Sequence, residues 1–276
     1  MNKIGLALGG GGVRGMAHLL ALEELDKLGI RPAAISGTSM GALVGALYAS
    51  GLSGKEIRSG VERHIIRKDD QLKDILQKKS DLFKWLTFAK PSLKRGGFLS
   101  ANGIIGYLME QIEATTFEEL EIPLSIVATD FWSGEQIIFD SGELLPALTA
   151  SMAIPGVFAP VEFEGRVLVD GGLVNNLPYD IVAKTCDYTI AIDVAPTRKP
   201  KTDKPVPNVF DAALGMFDLM LEKAVEQKME ISPPSLYFRP ELIGIRTLDF
   251  DEIETVFDQA ALNMIRLKQQ LTSQLN

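Results

Sequence analysis

Short apolar runs recur along the chain, and each ends on a small, polar or acidic residue before the pattern changes. Ile4–Leu8 is the first; a glycine run follows it, then a helical stretch reaching about Leu28. A second run ends at Ser36-Gly37 and leads into an Ala/Gly-rich helical segment. Ser125–Thr129, Arg166–Val169, Thr189–Ile192 and Ser235–Arg239 read as further strands, and Ser133-Gly134 closes a hairpin between Ile126–Thr129 and Gln136–Phe139. Ser100 is a candidate N-cap for a helix through about Glu113, and Thr116–Leu120 reads as a helical turn. Helices over about 208–230 and 250–273 flank Ser235–Arg239, with Met216, Phe217, Leu219 and Met220 assigned to the core. Strands alternating with helices predict an α/β protein, a three-layer α/β/α arrangement around a mostly parallel central sheet.

Two uncharged stretches are read as buried core rather than membrane spans. Ala33–Gly54 contains five glycines, and Leu144–Val161 is interrupted by three prolines. At 276 residues one domain is expected over 1–276, with a C-terminal helical region at about 208–276 and an exposed loop at Thr197–Pro207. A net charge of −8 argues against nucleic acid as a partner. The single cysteine, Cys186, allows no internal disulfide, and the first apolar run is too short for a secretory core. A cytoplasmic location is expected.

The charge is unevenly spread. From Arg63 to Arg95 there are ten Lys or Arg against four Asp, with Leu82, Phe83, Trp85, Leu86 and Phe88 interleaved. Basic residues beside apolar ones suit an interfacial segment, so residues 66–98 are expected to form a flap that makes peripheral contact with a membrane.

The most telling chemistry lies at Gly37-Thr-Ser39-Met-Gly41, between the second strand and its helix. A G-x-S-x-G turn presents its serine in a strained conformation, and a Cβ at either glycine would collide with the neighbouring strand or helix. A serine hydroxyl needs a base, and the two histidines, His18 and His64, both lie outside the last two hundred or so residues, where an α/β-hydrolase triad would draw its histidine. His18 is read as partly buried and hydrogen-bonded, His64 as solvated. The base should therefore be a carboxylate. Asp130, Asp170 and Asp193 each end a strand, where ligands gather in open α/β sheets. All three are candidates; Asp170 stands out because Gly171-Gly172 leave it uncrowded.

Gly9–Gly12, between the first strand and its helix, exposes backbone N–H groups suited to an anion. Gly10-x-Gly12-x-x-Gly15 matches a dinucleotide fingerprint, but no acidic residue closes the second strand, and no Lys-Ser or Lys-Thr follows as in a Walker loop. An oxyanion hole is the remaining use, built from the N–H groups of Gly11 and Gly12 with that of Met40. Two histidines and one cysteine make a metal site hard to assemble, so no metal or other cofactor is expected.

In order, Gly10-Gly-Gly-Val-Arg-Gly15, Gly37-Thr-Ser-Met-Gly41 and Asp170-Gly-Gly172 resemble the patatin-like phospholipase family, in particular its compact bacterial members. Ala150-Ser-Met-Ala-Ile-Pro-Gly-Val-Phe-Ala-Pro160 and Asn175-Asn-Leu-Pro178 extend the match over roughly residues 3–195. The resemblance implies a patatin-like fold and a lipid acyl hydrolase with a Ser-Asp dyad: Ser39 as nucleophile, Asp170 as base, Gly10, Gly11, Gly12 and Met40 around the oxyanion. Arg14, Gly15, Gly37, Gly41, Gly171 and Gly172 would support those motifs, Arg14 by steadying its loop or by contacting a substrate phosphate. The substrate expected is a lipid or other fatty acyl ester. Transfer of the acyl group to an alcohol, and lipid binding without turnover, are the competing readings. A desolvated Asp170 facing Ser39 is expected, because burial raises a carboxylate toward useful basicity.

Overall fold

A computed structural model describes residues 2–63, 112–198 and 206–275. The expected flap at 66–98 and His64 lie outside the described residues, as do 199–205 of the expected loop and most of the helix expected from Ser100; Ile112 and Glu113, at its end, are not helical.

A mixed sheet of eight strands forms the middle layer among the described residues, in the order β5-β6-β3-β2-β1-β7-β8, with β4 paired to β3. β1 (Ile4–Leu8), β2 (Ala34–Thr38), β3 (Leu124–Asp130), β7 (Tyr188–Ile192) and β8 (Leu236–Phe238) run parallel. β4 (Gln136–Phe139) and β6 (Arg166–Asp170) run antiparallel to β3, and β5 (Val161–Phe163) antiparallel to β6. The β3–β4 hairpin has the register expected from sequence, Ile126 opposite Phe139 and Thr129 opposite Gln136, with Gly134 at φ 71° in the turn.

Side-chain alternation along the strands separates two cores. Leu6, Leu8, Ile190, Ile192, Leu236 and Phe238 face one side, whereas Ala7, Ala191 and Tyr237 face the other. The large residues pack beneath α1 (Ala17–Lys27), α2 (Met40–Ala49), α3 (Gly54–Glu62), α8 (Ile253–Ala261) and α9 (Met264–Leu275). Over the alanine side lie α6 (Tyr179–Val182) and α7 (Val209–Ile231), whose Tyr179, Val182 and Val225 complete the second core. The fold is thus three-layered α/β/α. α4 (Leu144–Ser151) and α5 (Gly172–Asn175) bracket the sheet near β3 and β6.

Two expectations for the C-terminal region are corrected. The helix expected over 250–273 is a 3-10 turn at Phe250–Glu252 and two helices, α8 and α9, with a break at Leu262-Asn263. On α7, Met216, Leu219 and Met220 are exposed, at 62%, 41% and 64%. The inward positions are taken instead by acids that meet arginines, Asp218 with Arg14 and Glu222 with Arg239. Burying a charge is costly unless it is paired, and both acids have arginine partners. Among the described residues no helix is long and apolar enough to cross a membrane, and no cluster of His, Cys, Asp and Glu could hold a metal ion.

Candidate active site

β2 ends at Thr38, and Ser39 occupies the turn into α2 with φ 54° and ψ −124°. A non-glycine residue in this region is strained, so its surroundings must hold it there. They do so by close packing. A Cβ at Gly41 would lie 2.2 Å from the carbonyl oxygen of Leu8, and one at Gly37 would lie 2.6 Å from the Cα of Ala42. Thr38 Oγ1 donates to the carbonyl of Asn175 at 2.8 Å, and the Ser39 N–H donates to Ser151 Oγ at 2.8 Å.

Strand register brings the second group. Thr38 lies opposite Val127 on β3, and Ala128, the next residue, lies opposite Asp170 on β6. Ser39 and Asp170 therefore stand level on either side of β3, and the Ser39 hydroxyl is near enough to lower the Asp170 carboxyl as a donor. Asp170 reaches this point from a strand that runs against the parallel set. The carboxyl-end rule that drew attention to it thus describes Asp130 and Asp193, not Asp170. Asp170 is 3% exposed, and Oδ1 accepts the Gly172 N–H at 2.7 Å. Burial pushes its carboxyl up to about 6, against the opposing pull of the Gly172 N–H and the Ser39 hydroxyl; no cation contributes. Gly171 lets the chain fold back over β3, since a Cβ there would lie 2.1 Å from the Val127 carbonyl oxygen, and Gly172 packs against the Asn176 side chain.

The other two strand-end aspartates have settled partners. Asp130 accepts from the Trp132 N–H and from Arg166, at 3.0 and 3.1 Å. Asp193 accepts from the Ala195 N–H and the Tyr237 hydroxyl, at 3.0 and 2.7 Å.

The glycine loop runs beside Ser39: a Cβ at Gly10 would approach the Cβ of Ser39 to 3.3 Å. Among the described residues the N–H groups of Gly11, Gly12 and Met40 have no acceptor. Gly10 differs, because its N–H donates to the Asn176 carbonyl at 3.0 Å while Asn176 Nδ2 returns a hydrogen bond to the Gly10 carbonyl. Gly10 therefore leaves the expected oxyanion set and anchors the loop. Gly12 has φ 57°, and Gly15 packs directly on the Met40 side chain.

Arg14 is 1% exposed and is used up inside the protein. It donates to the carbonyls of Val194 and Ile245, to Thr247 Oγ1 and to Asp218. It steadies the loop, and the alternative of a phosphate contact is set aside. His18 is fully buried rather than partly, with Nε2 2.8 Å from the Gly9 carbonyl oxygen and Nδ1 without a partner. Burial lowers its pKa to about 4, so the ring is neutral and donates to Gly9. It braces the glycine loop.

Ser151 and Asn176 emerge here with contacts that the sequence reading did not foresee. Both belong to motif segments noted above, but neither residue type announces a backbone-anchoring role without coordinates.

The family model described as patatin-like phospholipase matches residues 6–183, and the chain belongs to that family. It is similar to an uncharacterised NTE family protein of Mycobacterium bovis, 34% identical over 211 residues, 75% of this chain and 53% of the relative. It also resembles patatin-like phospholipase domain-containing protein 6 of Mus musculus, 28% identical over 93% of this chain and 20% of the relative. The chain thus spans about half the length of the first relative and a fifth of the second. Among solved structures, VipD from Legionella pneumophila shares the fold, with a TM-score of 0.51 at 15% identity over 98% of this chain and 67% of that one.

Proposed function

We propose that this chain is a serine lipid acyl hydrolase that cleaves fatty acyl esters through an acyl-enzyme on Ser39, with Asp170 as its base. The observation that carries the reading is the Ser39 hydroxyl standing beside a buried carboxylate raised to about 6. At neutral pH such a group is ionised yet more basic than an ordinary aspartate, and no imidazole is needed.

Ser39 Oγ attacks the ester carbonyl carbon while Asp170 takes its proton. The negative oxygen of the tetrahedral intermediate rests on the free N–H groups of Gly11, Gly12 and Met40. Collapse breaks the bond to the alcohol, which leaves with the proton from Asp170. Water, deprotonated by Asp170, then attacks the acyl-enzyme; that intermediate expels Ser39 Oγ, which recovers the proton, and the fatty acid departs. Membership of a phospholipase family supports a lipid as the substrate. An added alcohol as acceptor tests transfer against hydrolysis.

A fluorophosphonate probe followed by mass spectrometry tests the nucleophile: the label lands on Ser39, and a label elsewhere overturns the assignment. Release of acid from p-nitrophenyl acyl esters, lost in Ser39→Ala, tests turnover.

A further inference from the structure

Ser39 poses a problem that the dyad does not solve. β2 stops at Thr38, and the left-handed turn removes the Ser39 N–H from the sheet ladder while placing it ahead of the first intrahelical bond of α2. The serine is 5% exposed, so water does not readily serve this N–H. Its acceptor is Ser151 Oγ, at 2.8 Å.

Ser151 is the last residue of α4 and is fully buried. Its own carbonyl, freed by the helix end, accepts the Gly171 N–H at 3.4 Å, and two residues on the carbonyl of Ala153 accepts the Asp170 N–H at 3.0 Å. One helix end therefore grips the backbone on both sides of the Ser39–Asp170 pair, and Ser151 touches both. Alanine would offer no acceptor. The requirement is for a short side chain with an oxygen on Cβ.

We propose that Ser151 is a positioning residue that sets the approach of Ser39 to Asp170, its hydroxyl oxygen holding the strained nucleophile turn while its carbonyl holds the loop after the base. The proposal rests on the hydrolase reading above. Without that oxygen the Ser39 peptide relaxes toward an ordinary conformation, and Oγ swings off the carboxylate. Because the Ser39 hydroxyl is one of the donors that restrain the rise of Asp170, its withdrawal also makes the base harder to ionise.

The test uses four forms of the full chain, assayed on a p-nitrophenyl ester and with a fluorophosphonate. Ser151→Ala deletes only the oxygen, and a fall in kcat of about 30-fold with KM changed less than about twofold is expected. The labelling rate at Ser39 falls in step, and the acid limb of the kcat profile moves to higher pH. Ser151→Thr and Ser151→Val have nearly the same shape and add the same bulk, so they separate the acceptor from packing. The threonine form is expected to exceed the valine form by about tenfold in kcat at similar thermal midpoints. Equal rates in those two, or an alanine variant with wild-type kcat and an unmoved acid limb, overturn the proposal. A wild type that neither turns over nor takes the label at Ser39 overturns the hydrolase reading itself, and with it the role of Ser151.

Discussion

Asp130 and Asp170 lie two rungs apart on the β3–β6 ladder and begin alike. Each accepts, through Oδ1, the backbone N–H two residues ahead, Trp132 for one and Gly172 for the other. Their remaining surroundings diverge. Asp130 meets the guanidinium of Arg166, whereas Asp170 has the neutral hydroxyl of Ser39 beside it. Burial alone would push Asp130 up, but the N–H groups of Trp132 and Ser133 and the charge of Arg166 outweigh it and hold it below the usual carboxylate range. Asp170, with no cation, is left at about 6. The same local turn thus yields a satisfied anion in one place and a raised carboxyl in the other: two backbone donors and a guanidinium outweigh burial at Asp130, whereas burial outweighs one backbone donor and a hydroxyl at Asp170.

The largest test of that contrast is activity. Asp170→Asn keeps the shape and the Gly172 hydrogen bond but removes the proton acceptor, so a loss of about 10³-fold or more in kcat is expected. Asp130→Asn is expected to stay within about threefold of wild type, since its contacts are to a hairpin and not to Ser39. Equal losses in the two variants, measured as acid released per enzyme, would remove the distinction.

The second test is pH. On the proposed mechanism ionised Asp170 is the working form, so kcat/KM is expected to rise with pH through a midpoint near 6 and to be level above it, with Asp130→Asn leaving that midpoint in place. A midpoint near 4 would mean that burial does not raise the group.

Much of this was legible in the sequence, for a definable reason. Ser39 and the glycines around it are written in one contiguous turn, and Asp170-Gly-Gly is a second; local geometry needs only local residues. The sheet was readable too, because period-two runs such as Thr189–Ile192 carry their own pattern. Asp218, by contrast, holds Arg14 from 204 positions away, and Ser151 holds Ser39 from 112. Such partners are set by register and by which helix ends where. The inward acids on α7 were hidden for the same reason: Met216 and Met220 look like core until Arg14 and Arg239 claim the inner face.

Stability separates the two aspartates by sign. For Asp170 the folded value of about 6 lies above the ordinary 3.8, so the folded state holds its proton more tightly. Stability from this group is full below pH 4 and falls as pH rises toward 6, reaching a penalty of about 3 kcal/mol above that. Asp170→Asn removes the penalty. It is expected to be more stable than wild type at pH 7, by up to that amount, with the gain gone at pH 4. Asp130 behaves oppositely, because its folded value is lowered: its contribution is present above the unfolded value and is lost as pH falls through the folded one. Asp130→Asn is therefore less stable than wild type at neutral pH. Urea midpoints at pH 4 and 7 read both signs, and a destabilised Asp170→Asn at pH 7 would contradict the assignment.

The smallest effect isolates the counter-charge itself. Arg166 is about half exposed, at 47%, and sits 3.1 Å from Asp130 and 3.5 Å from Glu135, so the pair is screened by water. Arg166→Gln is expected to cost about 0.5 kcal/mol or less, and less still in 0.5 M salt. Removing a cation that lowers Asp130 lets that carboxyl rise, while the two N–H groups continue to hold it down. Asp130 then moves partway toward the condition of Asp170 without reaching it, because the hairpin donors remain and no nucleophile faces it. NMR titration of the Asp130 carboxyl carbon in wild type and Arg166→Gln measures that step, with turnover expected to be unchanged. A carboxyl that does not move would assign the difference between the two aspartates to burial and backbone donors instead of to the guanidinium.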